Sequence, residues 1–429
     1  MHDFSYIGKS FYCENVNLEK IAQRFGTPTY VYSYKTLIDH YLKLDRAFDY
    51  IPHTICYSIK SNSNIAICKL LADQGCGGDV VSGGELYRAI KAGVKSDKIV
   101  YAGVGKTKDE IKFALLSNIL LFNSESQAEL VLINKIAGEL NKRPKIGLRI
   151  NPDVDAKTHA YITTGKKENK FGISLNEAFK IYKTANRYRN LEFRGIHIHI
   201  GSQITSVQPY VEAIKKAVDF INKLKCEGIK IDYLNIGGGL GIIYDKESPA
   251  KASEFATSLK PLLKELNCSL ILEPGRFITG NAGVLLTKVL FVKKSMNKKF
   301  VIVDAAMNDL IRPSLYNAYH NILPLQKFGR KKSSDIVDIV GPVCESGDFF
   351  ARDRRLPFVE SNDVLAILGA GAYGFSMSSN YNSRPRVAEV LVKNNKCYLI
   401  RKRETYLDLI RNEKIPAILA KLGQRNRGK

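Results

Sequence analysis

Lys60 ends an apolar run, CYSIK, where a desolvated ammonium would have a lowered pKa and could form a Schiff base with a carbonyl compound. The same position also suits a lysine that lays its stem along a rim and keeps its charge in water. The triplet Gly237-Gly238-Gly239 would let backbone N–H groups approach phosphate oxygens with no Cβ in the way, and Ser202 adds a hydroxyl donor. Glycine runs serve tight turns as readily. His197 and His199 lie two apart on one extended run and so face the same side. No third ligand at recognisable spacing accompanies them, so packed or stacking histidines are expected and no metal site.

Two nucleotide-site lookalikes fail on context. Gly105-Lys106-Thr107 imitates the end of a P-loop but has Val100 where the first glycine belongs. Gly369, Gly371 and Gly374 carry the spacing of a dinucleotide fingerprint, yet the chain continues as SMSSNYNSRP, which is no helix.

The elements that must position these groups alternate between short β-rich runs and longer stretches of helical period from about Pro28 to Glu273. Strands are expected over 56–60, 77–82, 98–103, 119–124, 145–151, 193–201, 233–239 and 270–275. Val211, Ile214, Val218, Ile221 and Leu224 make one apolar helix face, with lysines opposite. Ser82 with Glu85, and Ser124 with Gln127, have the spacing of capping boxes. Eight such units predict a (β/α)8 TIM-like barrel, whose chemistry gathers at the C-terminal ends of its strands. At those ends stand Lys60, Ser82 to Glu85, Arg149, His199 with Ser202, Gly237 to Gly239, and Glu273 to Arg276.

Past about Arg276 the helical period fades, and VLLTKVLFVKK, KFVIVDA, DIVDIVGPV, DVLAILGA and AEVLVKNNKCYLI read as strands of a mainly antiparallel second domain. The expected division is an N-terminal segment, 1–29, joining that β domain; a barrel, 30–276; and the C-terminal β domain, 277–429, ending in a solvated basic tail.

Composition is that of an ordinary globular protein. The 429 residues are 45% apolar and 25% charged, which excludes disorder and fibrous repeats. No apolar run is long enough to span a membrane and no signal peptide is legible, so a cytoplasmic protein is expected. Eight scattered cysteines without a CxxC pair argue against a disulfide framework or structural zinc, and most should be reduced, buried thiols. A net charge of +23 attracts anions in general. No nucleic-acid-binding module or aromatic-interleaved basic patch accompanies it.

Taken together, YSIKSN, GGDVVSGGEL, YAGVGKT, RINPDVDA, KFGI, HIHIGSQI, NIGGGLG, EPGR, DAAMNDLIRPSLYNAYH, GPVCESGDF and GAGAYGFSMSSNYNSRPRVAEVLV resemble the fold-type III pyridoxal-phosphate decarboxylases, and within them the subgroup acting on diaminopimelate. The resemblance runs in family order from residue 57 to beyond 390 and implies an alanine racemase-like barrel plus β domain with pyridoxal 5'-phosphate as cofactor. By that likeness Lys60 carries the cofactor as a Schiff base, Asp79 helps position it, and His199 stacks on its ring. Ser202, the turn Gly237, Gly238, Gly239 and the backbone around Gly275-Arg276 hold the phosphate, and Glu273 pairs with the ring nitrogen. Cys344 is the proton donor; Glu345, Arg276, Arg312 and Tyr316 contact substrate; Tyr373 contacts both phosphate and substrate.

The resemblance further implies a homodimer with shared active sites, the CES segment reaching across from the partner subunit. The implied reaction is decarboxylation of meso-2,6-diaminopimelate to L-lysine and CO₂, the last step of lysine biosynthesis. Arg312 and Glu345 would take the distal carboxylate and ammonium. The nearest rivals are decarboxylases of ornithine, arginine or carboxynorspermidine on the same fold. A catalytically silent regulatory relative is a further alternative, against which the joint presence of Lys60, Cys344 and Glu273 speaks.

Overall fold

The structure, a computed structural model, describes residues 3–155, 171–296, 298–327 and 334–420. His53–Ser58, Gly77–Val80, Ile99–Tyr101, Leu121–Ser124, Lys145–Arg149, Glu192–His197, Tyr233–Asn235 and Ser269–Leu272 close into a parallel barrel. The seam is the pairing of Ser269–Leu272 with His53–Ser58. Each strand overlaps an expected run, and all but Leu121–Ser124 end earlier than expected. Lys60 sits in a single 3₁₀ turn, Ile59–Ser61; the residues of interest at 199, 237–239 and 273–275 lie in the loops beyond their strands, and Arg276 opens a short helix, Arg276–Thr279.

The period of two along each strand explains why the barrel is apolar below and polar at its mouth. Cys56, Val100, Leu121 and Ile271 form an apolar cluster of their own. Two residues on from three of these, the chain places Ser58, Asn123 and Glu273, all buried. The triple glycine lets neighbouring strand ends come close: a Cβ on Gly238 would lie 2.1 Å from the Glu273 carbonyl oxygen, and one on Gly239, at φ +98°, would lie 2.3 Å from that of Gly201.

Helix starts follow the capping logic with two adjustments. Ser82 accepts from the Glu85 amide at 3.2 Å, but the Glu85 carboxylate takes the amide of Val81 rather than that of Ser82. In the other case the cap is Ser126, bonded to Glu129 N, while Ser124 is the buried last residue of its strand. An Asx/Ser-rich FNSES stretch offers two serines, and the one that follows the turn wins. The helix Gln208–Cys226 buries Ile214, Ile221 and Leu224, with Val211 and Val218 at its half-buried edges.

The second domain is a mixed sheet in the order Phe349–Pro357, Ser334–Val340, Lys298–Val303, Gly283–Ser295, Thr29–Ser33, Ala388–Lys393 and Lys396–Arg401, with Val364–Ile367 and Ile322–Pro324 attached. Most pairs are antiparallel; Lys298–Val303 with Ser334–Val340, and Thr29–Ser33 with Ala388–Lys393, are parallel. Thr29–Ser33, inside the span expected for the barrel, is thus a fully buried central strand of the β domain. The first residues add no strand to it. They fold as their own three-stranded sheet, docked through Phe4, Phe11 and Cys13 onto Val31, Val284 and Leu286. Cys226, at a helix end, is exposed alongside Cys344, contrary to the expectation for most thiols. The expected basic tail lies outside the described residues, among which no helix is long and apolar enough to cross a membrane.

Candidate active site

A cavity of about 340 Å³ opens where the barrel mouth meets the β domain. Lys60, His199, Ser202, Gln203, Tyr244, Glu247, Arg276, Arg312, Tyr316 and Tyr373 line it, together with Ala318 and Tyr319. The lining holds three cationic side chains, Lys60, Arg276 and Arg312, and a single carboxylate, Glu247.

The floor is a polar set from the ends of six barrel strands. Lys60 Nζ pairs with Asp79 Oδ2, which also receives a 2.6 Å bond from the Ser58 hydroxyl. Burial by itself would lower the lysine's pKa, but the Asp79 carboxylate, helped by Tyr373 and Glu273, more than offsets it and raises the pKa above the ordinary value. The resting lysine is therefore a held cation; of the two alternatives its position left open, the charged one fits, with Asp79 rather than water as the partner of the charge. Glu273 Oε1 accepts from Asn235 Nδ2 at 2.6 Å and Asn123 Nδ2 at 3.3 Å, while Oε2 lies 3.4 Å from His197 Nε2. Burial pushes this carboxyl up, yet His197 and then Lys60 outweigh it and hold it well below the usual carboxylate range. Glu273 is thus a buried, fully ionised anion.

His199 Nδ1 accepts the Gly238 amide at 3.2 Å. Burial, reinforced by the positive charge of Arg149, drives its pKa down to about 3, so its ring is neutral at physiological pH. The Gly237 amide is likewise spent, on Asn235 Oδ1 at 2.9 Å. The glycine turn therefore uses two of its amides to fix His199 and Asn235, which narrows the anion-binding role that the triplet alone suggested.

Two buried guanidinium groups face this floor, Arg276 from the barrel and Arg312 from the β domain. Arg276 donates to Tyr244 Oη at 2.7 Å and Ser202 Oγ at 3.1 Å, and lies 4.9 Å from the Tyr373 ring centre. Tyr373 holds a left-handed backbone, φ 54°, its amide tied to Ser61 O at 2.7 Å. Arg312 donates to His320 Nε2 at 2.9 Å and lies 4.5 Å from the Tyr244 ring centre.

Cys344 and Glu345 stand apart. They sit in the turn between Ser334–Val340 and Phe349–Pro357, exposed and outside the cavity lining. Asp348 shapes that turn by accepting the amides of Val343 and Met307, each at 2.7 Å. Glu345 takes the Tyr381 hydroxyl at 2.8 Å, and Cys344 Sγ lies 3.7 Å from Asn382 Oδ1. One chain thus brings the other residues singled out from the sequence to a common mouth and leaves these two outside.

Sequence reasoning passed over Tyr244, Gln203, Glu247, His320, Asn123 and Asn235. Gln203 and His320 lie inside the segments HIHIGSQI and NDLIRPSLYNAYH that carried the resemblance. Tyr244 and Glu247 come a few residues after the glycine triplet, in a loop without periodicity, and only the folded chain shows that it covers the cavity.

Residues 34–280 match the family model described as "Pyridoxal-dependent decarboxylase, pyridoxal binding domain". The chain is 52% identical over 402 residues to a diaminopimelate decarboxylase of Aquifex aeolicus, covering 94% of this chain and 95% of that one. It superposes on the crystal structure of diaminopimelate decarboxylase from Helicobacter pylori complexed with L-lysine with a TM-score of 0.89, at 44% identity and over 92% and 99% of the two chains. For the enzyme of M. jannaschii in co-complex with L-lysine the TM-score is 0.93, at 41% identity and over 97% and 99%. The chain belongs to the diaminopimelate decarboxylase family of pyridoxal-dependent decarboxylases.

Proposed function

We propose that this pocket converts meso-2,6-diaminopimelate to L-lysine and CO₂ with pyridoxal 5'-phosphate bound at Lys60. The observation that carries the reading is a lysine amine lining the cavity with a buried carboxylate, held ionised, in the hydrogen-bonded floor beside it. A Schiff-base cofactor needs the first and a protonated pyridine nitrogen needs the second, and Lys60 and Glu273 fit them. The arginine Nε atoms of both Arg276 and Arg312, buried without a protein partner, fit anionic groups of cofactor and substrate.

When bound, pyridoxal phosphate supplies an electron sink for the pair left at Cα as CO₂ departs. The chain's own residues do the rest. Asp79 holds the Lys60 ammonium in place until the amine is needed and keeps its stem aimed into the cavity. The neutral His199 ring offers a flat, uncharged face for stacking, anchored at Nδ1 by Gly238. Glu273, fixed by Asn123, Asn235 and His197, keeps a proton on a ring nitrogen placed against it, which favours decarboxylation over chemistry that needs an unprotonated ring. Ser202, Gly239, the backbone at Gly275-Arg276 and Tyr373 would hold the phosphate. Tyr316 and the two arginines meet substrate carboxylates, with Arg312 taking the distal one.

The remaining requirements are an anion for the distal ammonium and an acid to protonate Cα on its return. Glu345 and Cys344 have that chemistry and are exposed on the single chain. They complete the cavity of a second copy in a homodimer, where Cys344 delivers the proton, a step worth about 10²- to 10⁴-fold. The absence of the distal carboxylate from ornithine and lysine would leave Arg312 buried and unpaired, a cost of about 1–3 kcal/mol or more that selects for diaminopimelate. On this reading the protein serves amino-acid biosynthesis in the cytoplasm.

Product analysis tests the reading. Incubation with meso-diaminopimelate and pyridoxal phosphate should yield equal amounts of L-lysine and CO₂. A higher kcat/KM for ornithine than for meso-diaminopimelate would overturn the substrate assignment.

A further inference from the structure

The loop after the glycine triplet carries a side chain that touches both pocket arginines. Tyr244 accepts from Arg276 Nη1 through its hydroxyl at 2.7 Å, and its ring lies 4.5 Å from the Arg312 guanidinium. On the far side, His320 Nε2 accepts from Arg312 Nη1 at 2.9 Å while His320 Nδ1 donates to Leu368 O at 2.8 Å. The two aromatic residues also meet each other, ring centres 5.5 Å apart at 76°. The loop itself is pinned by Glu247, one carboxylate oxygen of which takes the amides of Tyr244 and Asp245 at 2.9 and 2.7 Å.

The partners that hold these guanidinium groups are neutral: a phenol, a serine hydroxyl, an imidazole and aromatic rings. Among the described residues neither arginine makes an ion pair with a carboxylate. A carboxylate partner would have fixed the geometry equally well, but it would have cancelled the charge that an incoming anion needs. An imidazole can accept from a guanidinium only while neutral, and burial, with Arg312 beside it, lowers the His320 pKa to about 3, so it stays neutral across the physiological range.

The geometry points to Tyr244 and His320 as positioning residues that hold Arg312 rigidly without neutralising it, and so set the preference for a substrate with a carboxylate at its distal end. This inference rests on the function proposed above and deepens it. The aperiodic loop after the glycine triplet thereby closes the substrate end of the pocket with an aromatic clamp.

The test uses the holoenzyme and two inhibitors of equal length, pimelate and heptanoate, which differ only in the second carboxylate. The ratio of their inhibition constants reads the distal carboxylate alone, and the visible band of the bound cofactor reports intact folding. The parent should prefer pimelate. In Tyr244→Leu, which removes both ring and hydroxyl, the preference should fall about tenfold, the range of a desolvated cation–π contact. In Tyr244→Phe, which keeps the ring under Arg312, it should stay within about twofold of the parent. His320→Leu, which strips the acceptor from the other side, should repeat the tenfold loss if Tyr244→Leu fails to fold. A Leu variant that keeps the cofactor band and the parental ratio would overturn the clamp alone, as would Tyr244→Phe losing as much as Tyr244→Leu. A parent with no preference for pimelate would overturn both the clamp and the assignment of the substrate end.

Discussion

The barrel mouth of the candidate site and the β-domain turn that carries Cys344 and Glu345 are built on opposite terms. At the barrel mouth Lys60, Asp79, Ser58 and Glu273 are buried or half-buried and joined by hydrogen bonds within one chain. Cys344 and Glu345 of the β domain ride an exposed turn whose backbone is tied down by Asp348, and their side chains hydrogen-bond to Asn382 and Tyr381. The first half is preorganised by folding; the second is presented. On the function proposed above, the part that binds a cofactor and tunes its electronics gains from a fixed, dry frame, whereas the groups assigned to finish the reaction are displayed where a second copy would bring them into a pocket.

Breaking the preorganised half should have the largest effect. Lys60→Ala should abolish the visible band of the bound cofactor and lower turnover by more than about 10⁴-fold, measured by CO₂ release, because covalent catalysis has no substitute amine there. Breaking the presented half should cost less and leave the first half intact: Cys344→Ala should lower kcat by about 10²- to 10⁴-fold with the cofactor band unchanged. Loss of the band in that variant would show that the two halves are not independent. Arg312→Ala should lower kcat/KM for meso-diaminopimelate by roughly 10²-fold, through the loss of one charge-assisted pair, with little change in cofactor affinity. An equal fall in both would point to damage of the frame rather than of the substrate end.

The eight barrel strands were legible because period-two apolar runs bounded by Gly, Asn and Ser leave few alternatives, and the residues just past them were therefore identifiable as site candidates. The strand Thr29–Ser33 was not, since its five residues belong to a sheet whose other members come more than 250 residues later in the chain. Nor was Phe349–Pro357, whose ARDRR core reads as solvated chain until the register with Ser334–Val340 is known. Within the site, sequence position alone left open a neutral or a charged Lys60, and an anion-binding or purely structural glycine turn. The pairing with Asp79 favours the charged lysine, and the bonds of Gly238 to His199 and of Gly237 to Asn235 occupy two of the amides; Asp79 and His199 come from other strands, which local sequence does not show. Tyr244 escaped notice for the same reason: nothing local to an aperiodic loop says that it will meet two arginines from elsewhere.

The smallest effect sharpens the picture of the frame. Burial raises Glu85 to about 7 from an ordinary value of 4.5, so the folded chain keeps a proton that the unfolded chain has released. The proton-linked contribution is therefore fully present below pH 4.5 and is lost as pH rises through about 7. Glu85→Gln, which keeps an acceptor for the Val81 amide, should lack this loss. Its Tm should gain about 2 °C relative to the parent between pH 5 and pH 8, by calorimetry. A constant difference across that range would contradict the buried, protonated carboxyl.

That two chains share one pocket can be tested by mixing inactive partners. Lys60→Ala and Cys344→Ala homodimers, dissociated and reassociated in equal amounts, should regain about a quarter of the parental turnover of meso-diaminopimelate, since half of the dimers are then mixed and each has one intact site. A mixture as inactive as its parents, with exchange of subunits verified, would contradict the shared pocket.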